Sequence, residues 1–195
     1  MLRPLRPSAA ELRALLERLA SAPFSYANPG MSRGDAPRGF WSNHARARVG
    51  AGDEAFARAR AVVRAWGMFA LDWIELHGAD DRPPAPGLVV LTLTRAALLW
   101  TANACRVVYV DDDADRYQFA YGTLPGHAVT GEERFTLTRA RDGAVWFEIL
   151  SYSRPAALPA QLAAPLTRRF QRRFVVEGCA RVAEAVADAG ARASS

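Results

Sequence analysis

The chain contains no lysine: apart from three histidines, all 25 of its basic side chains are arginine. Schiff-base catalysis and the phosphate-cradling P-loop both depend on a lysine. Pyridoxal-phosphate enzymes, lysine-dependent aldolases and Walker NTPases are thereby excluded. Cysteine is scarce as well, limited to Cys105 and Cys179. Two thiols cannot complete a four-ligand zinc site, and His44, His77 and His127 stand at no metal-ligand spacing from one another. No metal and no cofactor is expected, and both thiols are expected to be reduced. No run approaches the ~18 consecutive apolar residues of a membrane-spanning helix. The opening stretch, MLRPLRPSAAELRALLERL, is charged throughout and lacks the apolar centre of a signal peptide. The cytoplasm is the expected compartment.

What is present suffices for one folded domain: 195 residues, half of them hydrophobic. The formal charge of +5 would permit nucleic acid or anionic lipid as a partner. Acids are interleaved with the arginines, however, as on an ordinary solvated surface. No RNA- or DNA-binding motif is visible, and nucleic acid is not an expected partner.

The pattern along the chain begins with Ser8-Ala9-Ala10-Glu11, a capping box that predicts a helix to about Leu19 with Leu12, Leu15, Leu16 and Leu19 as its apolar stripe. A Pro/Gly-rich loop from Ser21 to Gly39 follows, holding Phe24 and Tyr26. Trp41 to Val49 alternates as a strand does. Asp53 opens a helix to about Trp66, which Gly67 is placed to end. Six strand-like runs come next: Met68 to Leu76, Leu88 to Thr94, Leu98 to Val110, Tyr117 to Thr123, Glu132 to Arg139 and Ala144 to Ser153. Their short, turn-rich links imply antiparallel neighbours. A long helix from about Pro159 or Pro165 to Asp188 closes the chain. Leu162, Leu166, Phe170 and Phe174 recur on it every four residues, and Arg168, Arg169, Arg172 and Arg173 form a basic cluster.

One sheet face and one helix stripe are apolar, and each must cover the other. The expected fold class is therefore α+β: a curved antiparallel β-sheet of about seven strands gripping a long C-terminal helix, with an extra N-terminal helix. The expected division is an N-terminal helix and loop over 1–39, a helix-grip domain over 40–190 and a frayed tail over 191–195. Such a grip can leave a cavity between sheet and helix.

Several short motifs carry a resemblance. Cys105-Arg106-Val107-Val108-Tyr109-Val110 precedes YGTLPGH, Tyr121 to His127. Gly131-Glu132-Glu133-Arg134-Phe135, Val145-Trp146-Phe147-Glu148 and Ser153-Arg154-Pro155 follow. This series resembles the bacterial and plant family called domain of unknown function 1990, from about Phe24 to the C-terminal helix. Phe24-Ser25-Tyr26 looks like a divergent form of the family's N-terminal motif. The resemblance implies little about activity. It is compatible with the Bet v 1/START-like helix-grip class, whose members often hold apolar ligands.

The candidate site residues follow from strand alternation. Glu133 shares a face with Phe135 and Leu137, and Glu132 with Arg134 and Thr136. An inward Glu133 is either an acid/base or polar anchor in a cavity, or one half of a structural ion pair with Arg106 or Arg46. Arg106 shares a face with Ala104, Val108 and Val110, and needs a carboxylate or anion if it points inward; at an edge its head can reach water. His127 follows the Pro125-Gly126 turn and could move protons near Tyr121 or Glu133, or could bond a nearby backbone group. Tyr109, Tyr117, Phe119, Tyr121, Trp146 and Phe147 could line a cavity or fill the core. Arg154 could pair across the sheet or meet an anionic ligand. Asp111, Asp113 and Asp115 have the opening spacing of a calcium loop, but Arg116 and Gly122 stand where that loop needs glycine and glutamate, so they read as an acidic hairpin turn.

Three functional readings result. The leading one is binding of a small apolar or amphipathic molecule, with Arg46, Arg106, Tyr121, His127, Glu133 and Arg154 as candidate ligand-binding residues. The second is acid/base catalysis in the same cavity by Glu133, His127 and Tyr121. The third is an interaction module that uses the basic C-terminal helix.

Overall fold

The computed structural model describes residues 2–96, 99–156 and 164–193. Ser8 caps the first helix, α1 (Ala9–Leu19), with Glu11 reaching back to the Ser8 backbone. The main sheet then comprises β2 (Trp41–Ala51), β3 (Ile74–His77), β4 (Val89–Ala96), β5 (Leu99–Asp112), β6 (Arg116–Thr123), β7 (Val129–Arg139) and β8 (Ala144–Pro155). Its order is β2-β8-β7-β6-β5-β4-β3, antiparallel throughout, with β1 (Leu2–Arg3) paired to β5 off this path. Helix α2 (Gly52–Arg64) follows β2, and the long α3 (Ala164–Ala193) ends the described chain. The sheet wraps α3, the helix-grip arrangement that the element order demands.

The two faces of the sheet are covered by different layers. On the inner face, Phe135, Leu137, Phe147 and Ile149 pack with Val175, Cys179, Val182 and Val186 of α3 and with Phe56, Ala59 and Val63 of α2. On the outer face, Leu12 and Leu19 of α1 meet Leu91, Leu93, Ala102, Ala104 and Leu124. Full burial of a leucine contributes roughly 1.5–3 kcal/mol, enough for a few such residues to fix α1 on the sheet. Helix α1 therefore lies against the outer face of the sheet.

The structure departs from the sequence pattern in places. Met68 to Leu76 is a single strand-like run in the sequence, but it opens as a 3₁₀ turn (Gly67–Phe69), and only Ile74–His77 joins the sheet. Trp66, not Gly67, takes the left-handed conformation after α2 (φ 59°). Its ring packs edge-on to Phe119 at 5.1 Å, and its indole N–H donates to the Arg82 carbonyl. Gly67 is required for another reason: a Cβ there would lie 2.5 Å from a Val62 methyl. α3 continues to Ala193, beyond the helix end expected at Asp188, with Gly190 against the Arg58 side chain of α2. Leu162 and the Pro159 start lie outside the described residues.

Candidate functional site

Strand β4 has an unusual pattern, because its leucines face outward. Leu91 and Leu93 point to α1, while Thr92 and Thr94 point inside. β5 repeats the arrangement, with Ala102 and Ala104 outward and Thr101, Asn103 and Cys105 inward. An external helix covers the apolar side, so the polar side is free to line an interior space. That space is a cavity of about 420 Å³ between the sheet and the first turns of α3. One wall is aromatic and aliphatic: Phe69, Trp73, Ile74, Leu166, Phe170 and Phe174. The other is hydroxyl- and amide-bearing: Thr92, Thr94, Thr101, Asn103, Tyr121 and Thr123. Thr94 and Thr101 are hydrogen-bonded through their hydroxyls at 2.7 Å, and the Asn103 amide donates to the Thr101 hydroxyl at 3.1 Å. Phe69 stacks on Phe174 at 5.0 Å and closes the end toward the core.

Glu133 stands in this cavity, opposite Tyr121 in the β6–β7 ladder. The Tyr121 hydroxyl donates to its Oε2 at 2.6 Å. Oε1 has no hydrogen-bond partner among the described residues. Burial drives the Glu133 carboxyl up to about 7, a rise that the Tyr121 hydrogen bond opposes. Burial, joined by the nearby Glu133 charge, also raises the Tyr121 hydroxyl well above its ordinary value. Cys105 lies on the same wall, its thiol likewise pushed up by burial.

His127 reaches the cavity from the β6–β7 loop, after the turn at Gly126 (φ 89°). Its Nδ1 accepts the Val129 backbone N–H at 3.1 Å, which leaves Nε2 to carry the proton of the neutral ring. Burial pushes this imidazole well below the usual histidine range. Tyr121, Glu133 and His127 thus share one cavity, but only the first two are hydrogen-bonded to each other.

The three arginines named from the sequence are placed elsewhere. Arg46 lies over the Trp146 ring at 4.3 Å. Arg106 donates to the Leu19 and Ala20 carbonyls, both at 2.8 Å, and so caps the C-terminus of α1. Arg154 lies over Phe40 at 4.9 Å. None of them lines the cavity or pairs with Glu133. Of the six aromatics considered as lining, only Tyr121 does so. Tyr117, Phe119 and Phe147 fill the inner core, and Trp146 pairs with Arg46. Tyr109 faces outward because the β5–β6 pairing skips Val108: Val107 faces Tyr121 and Tyr109 faces Ala120, a bulge that reverses the alternation.

Glu132 was not singled out from the sequence and is the most completely bonded carboxylate of the chain's described part. It is 2 % exposed and points to the outer face. The Tyr26 hydroxyl and the Gly30 N–H donate to Oε2, both at 2.7 Å, and the Ser32 N–H donates to Oε1 at 2.9 Å. The Ser32 hydroxyl donates to Oε1 as well. This carboxylate ties the N-terminal loop onto the sheet. Gly122 serves the same contact, since a Cβ there would lie 2.0 Å from the Tyr26 hydroxyl. The adjacent acids of the Gly131-Glu132-Glu133 motif thus have separate surroundings, one a loop anchor and one a cavity group.

The family model described as Domain of unknown function (DUF1990) matches residues 25–181. A UPF0548 protein of Deinococcus radiodurans is 41% identical over 185 residues, covering 89% of this chain and 91% of that protein. A UPF0548 protein of Arabidopsis thaliana is 32% identical over 142 residues, covering 70% and 68%. Among solved structures, a Thermus thermophilus protein aligns with a TM-score of 0.55 at 14% identity, over 76% of this chain and 99% of its own, a likeness of fold alone. No helix among the described residues is long and apolar enough to cross a membrane.

Proposed function

We propose that this chain, which belongs to the DUF1990 family, binds a small amphipathic molecule in the cavity between its sheet and α3. The observation that carries the proposal is the cavity itself: its volume of about 420 Å³ falls within the ~300–1,000 Å³ of typical small-molecule sites. The aromatic wall suits an apolar body, and the facing threonines, Asn103 and Tyr121 offer the few convergent polar groups that fix orientation. Titration with Nile red, a neutral apolar dye, tests this reading. Saturable fluorescence enhancement by the wild-type protein, lost in Thr94→Trp, is expected. An equal enhancement in Thr94→Trp, or none in either protein, would refute it.

One observation favours acid/base chemistry as a second reading. Glu133, brought near neutrality by burial, is hydrogen-bonded to Tyr121 inside the cavity, and general acid–base groups work best near the operating pH. His127 is on the same wall with its Nδ1 committed to the Val129 N–H.

A further inference from the structure

The charge lining the cavity is one-sided. The chain has 25 arginines and no lysine, yet no arginine lines the cavity among the described residues. The stretches 97–98 and 157–163 contain no charged side chain in the sequence, and the cation that acts on a lining residue is the chain's own α-ammonium, felt at His127. The arginines named above are held on carbonyls and aromatic rings outside it. His127 is a neutral ring. Glu132 borders the cavity but directs its carboxylate outward to Tyr26, Gly30 and Ser32. Among the described residues, Glu133 is therefore the one carboxylate presented to the interior, with Oε1 unpaired.

We infer that the cavity prefers a cationic amphipathic ligand, an organic amine with an apolar body, and that Glu133 is its counter-ion. This rests on the reading of the cavity as a binding site. An ammonium group beside Glu133 would pair with a carboxylate that no cationic side chain among the described residues compensates, and the low local dielectric strengthens that attraction relative to water. A bound carboxylate or phosphate would meet the like charge of Glu133 and find no guanidinium. The wall of Phe69, Trp73, Phe170 and Phe174 suits an organic cation in a second way, since aromatic faces attract positive charge. Tyr121, donating to Oε2, orients the carboxylate and leaves Oε1 for the incoming N–H.

Three probes with one indole body test the charge preference: tryptamine, tryptophol and indole-3-acetate, titrated calorimetrically into the full chain at pH 8, where Glu133 is ionised. Tryptamine is expected to bind on the order of 30-fold more tightly than indole-3-acetate, as expected for a desolvated charge pair. Glu133→Gln should abolish that preference, with near-ultraviolet circular dichroism and a cooperative melt reporting that the variant is folded. Equal binding of all three by the wild type would overturn the charge preference and leave the cavity reading standing. A preference for indole-3-acetate, or a tryptamine preference unchanged in Glu133→Gln, would also overturn it. Absence of binding by all three at millimolar concentration would overturn this inference and the cavity reading together. The wild-type comparison decides the matter even where the variant does not fold.

Discussion

Replacing Glu133 by Gln changes one proton site and little shape, and its effect should depend on pH in a defined direction. In the unfolded chain this carboxyl titrates at its ordinary 4.5, and in the folded protein at about 7. Folding therefore favours the protonated form. The associated stability is fully present below about 4.5 and is lost as the pH rises through about 7. At ~1.4 kcal/mol per tenfold change in proton binding, the interval corresponds to about 3 kcal/mol. Because Glu133 keeps part of its surface open to the cavity, about 2 kcal/mol is the firmer expectation. Glu133→Gln should match the wild type at pH 4.5 and exceed it by about 2–3 kcal/mol at pH 8. At ~2–4 °C per kcal/mol for a chain of this size, thermal melts should separate by about 4–12 °C at pH 8 and converge in acid. Urea unfolding at matched pH values gives the same comparison as free energies. Parallel stability–pH curves for the two proteins would refute the reasoning, since they would mean that Glu133 titrates alike in the folded and unfolded chains.

Other expectations concern the parts that hold the cavity in place. Glu132→Ala leaves the Gly30 and Ser32 N–H groups and the Tyr26 hydroxyl without their acceptor and should cost at least about 3 kcal/mol; urea denaturation measures it, with rapid amide exchange over residues 26–34 as the local sign. Gly122→Ala should displace the Tyr26 ring and cost about 1–3 kcal/mol, seen as altered tyrosine near-ultraviolet dichroism with a lower midpoint. Arg106→Ala removes the cation bonded to the last carbonyls of α1 and should cost about 1 kcal/mol, with faster exchange confined to residues 9–20.

Much of the fold was legible because local signals and global need agree. The Ser8 capping box, the alternation from Tyr117 onward and the four-residue recurrence of Phe170 and Phe174 each name their element without knowledge of the rest. The Met68 to Leu76 run misleads because its apolar residues are buried around a 3₁₀ turn, and burial without periodicity does not distinguish strand from turn. In the site, the alternation around Phe135 places Glu133 inward and Glu132 outward. The arginines were harder to place: a long side chain on a strand can satisfy itself on a carbonyl or a ring, and sequence does not show which is near. Arg106 illustrates this, since its partners at Leu19 and Ala20 are more than 80 residues away. Tyr109 was misplaced because one bulge reverses facing without leaving a glycine to mark it. A further signal lies in β4 and β5. In VVLTLTRA and WTANAC the threonines and asparagine alternate with leucine and alanine, and an N-terminal helix able to cover the leucines makes an inward polar wall possible.

The central claim is that the polar wall of β4 and β5 and the aromatic wall of α3 enclose a binding site. Amide chemical-shift mapping on the labelled full chain during a tryptophol titration tests it most directly. The expected result is saturable shifts concentrated at Thr92, Thr94, Thr101, Asn103, Tyr121 and Phe170. Shifts confined to the outer layer around α1, or no saturable shift at any residue, would contradict it.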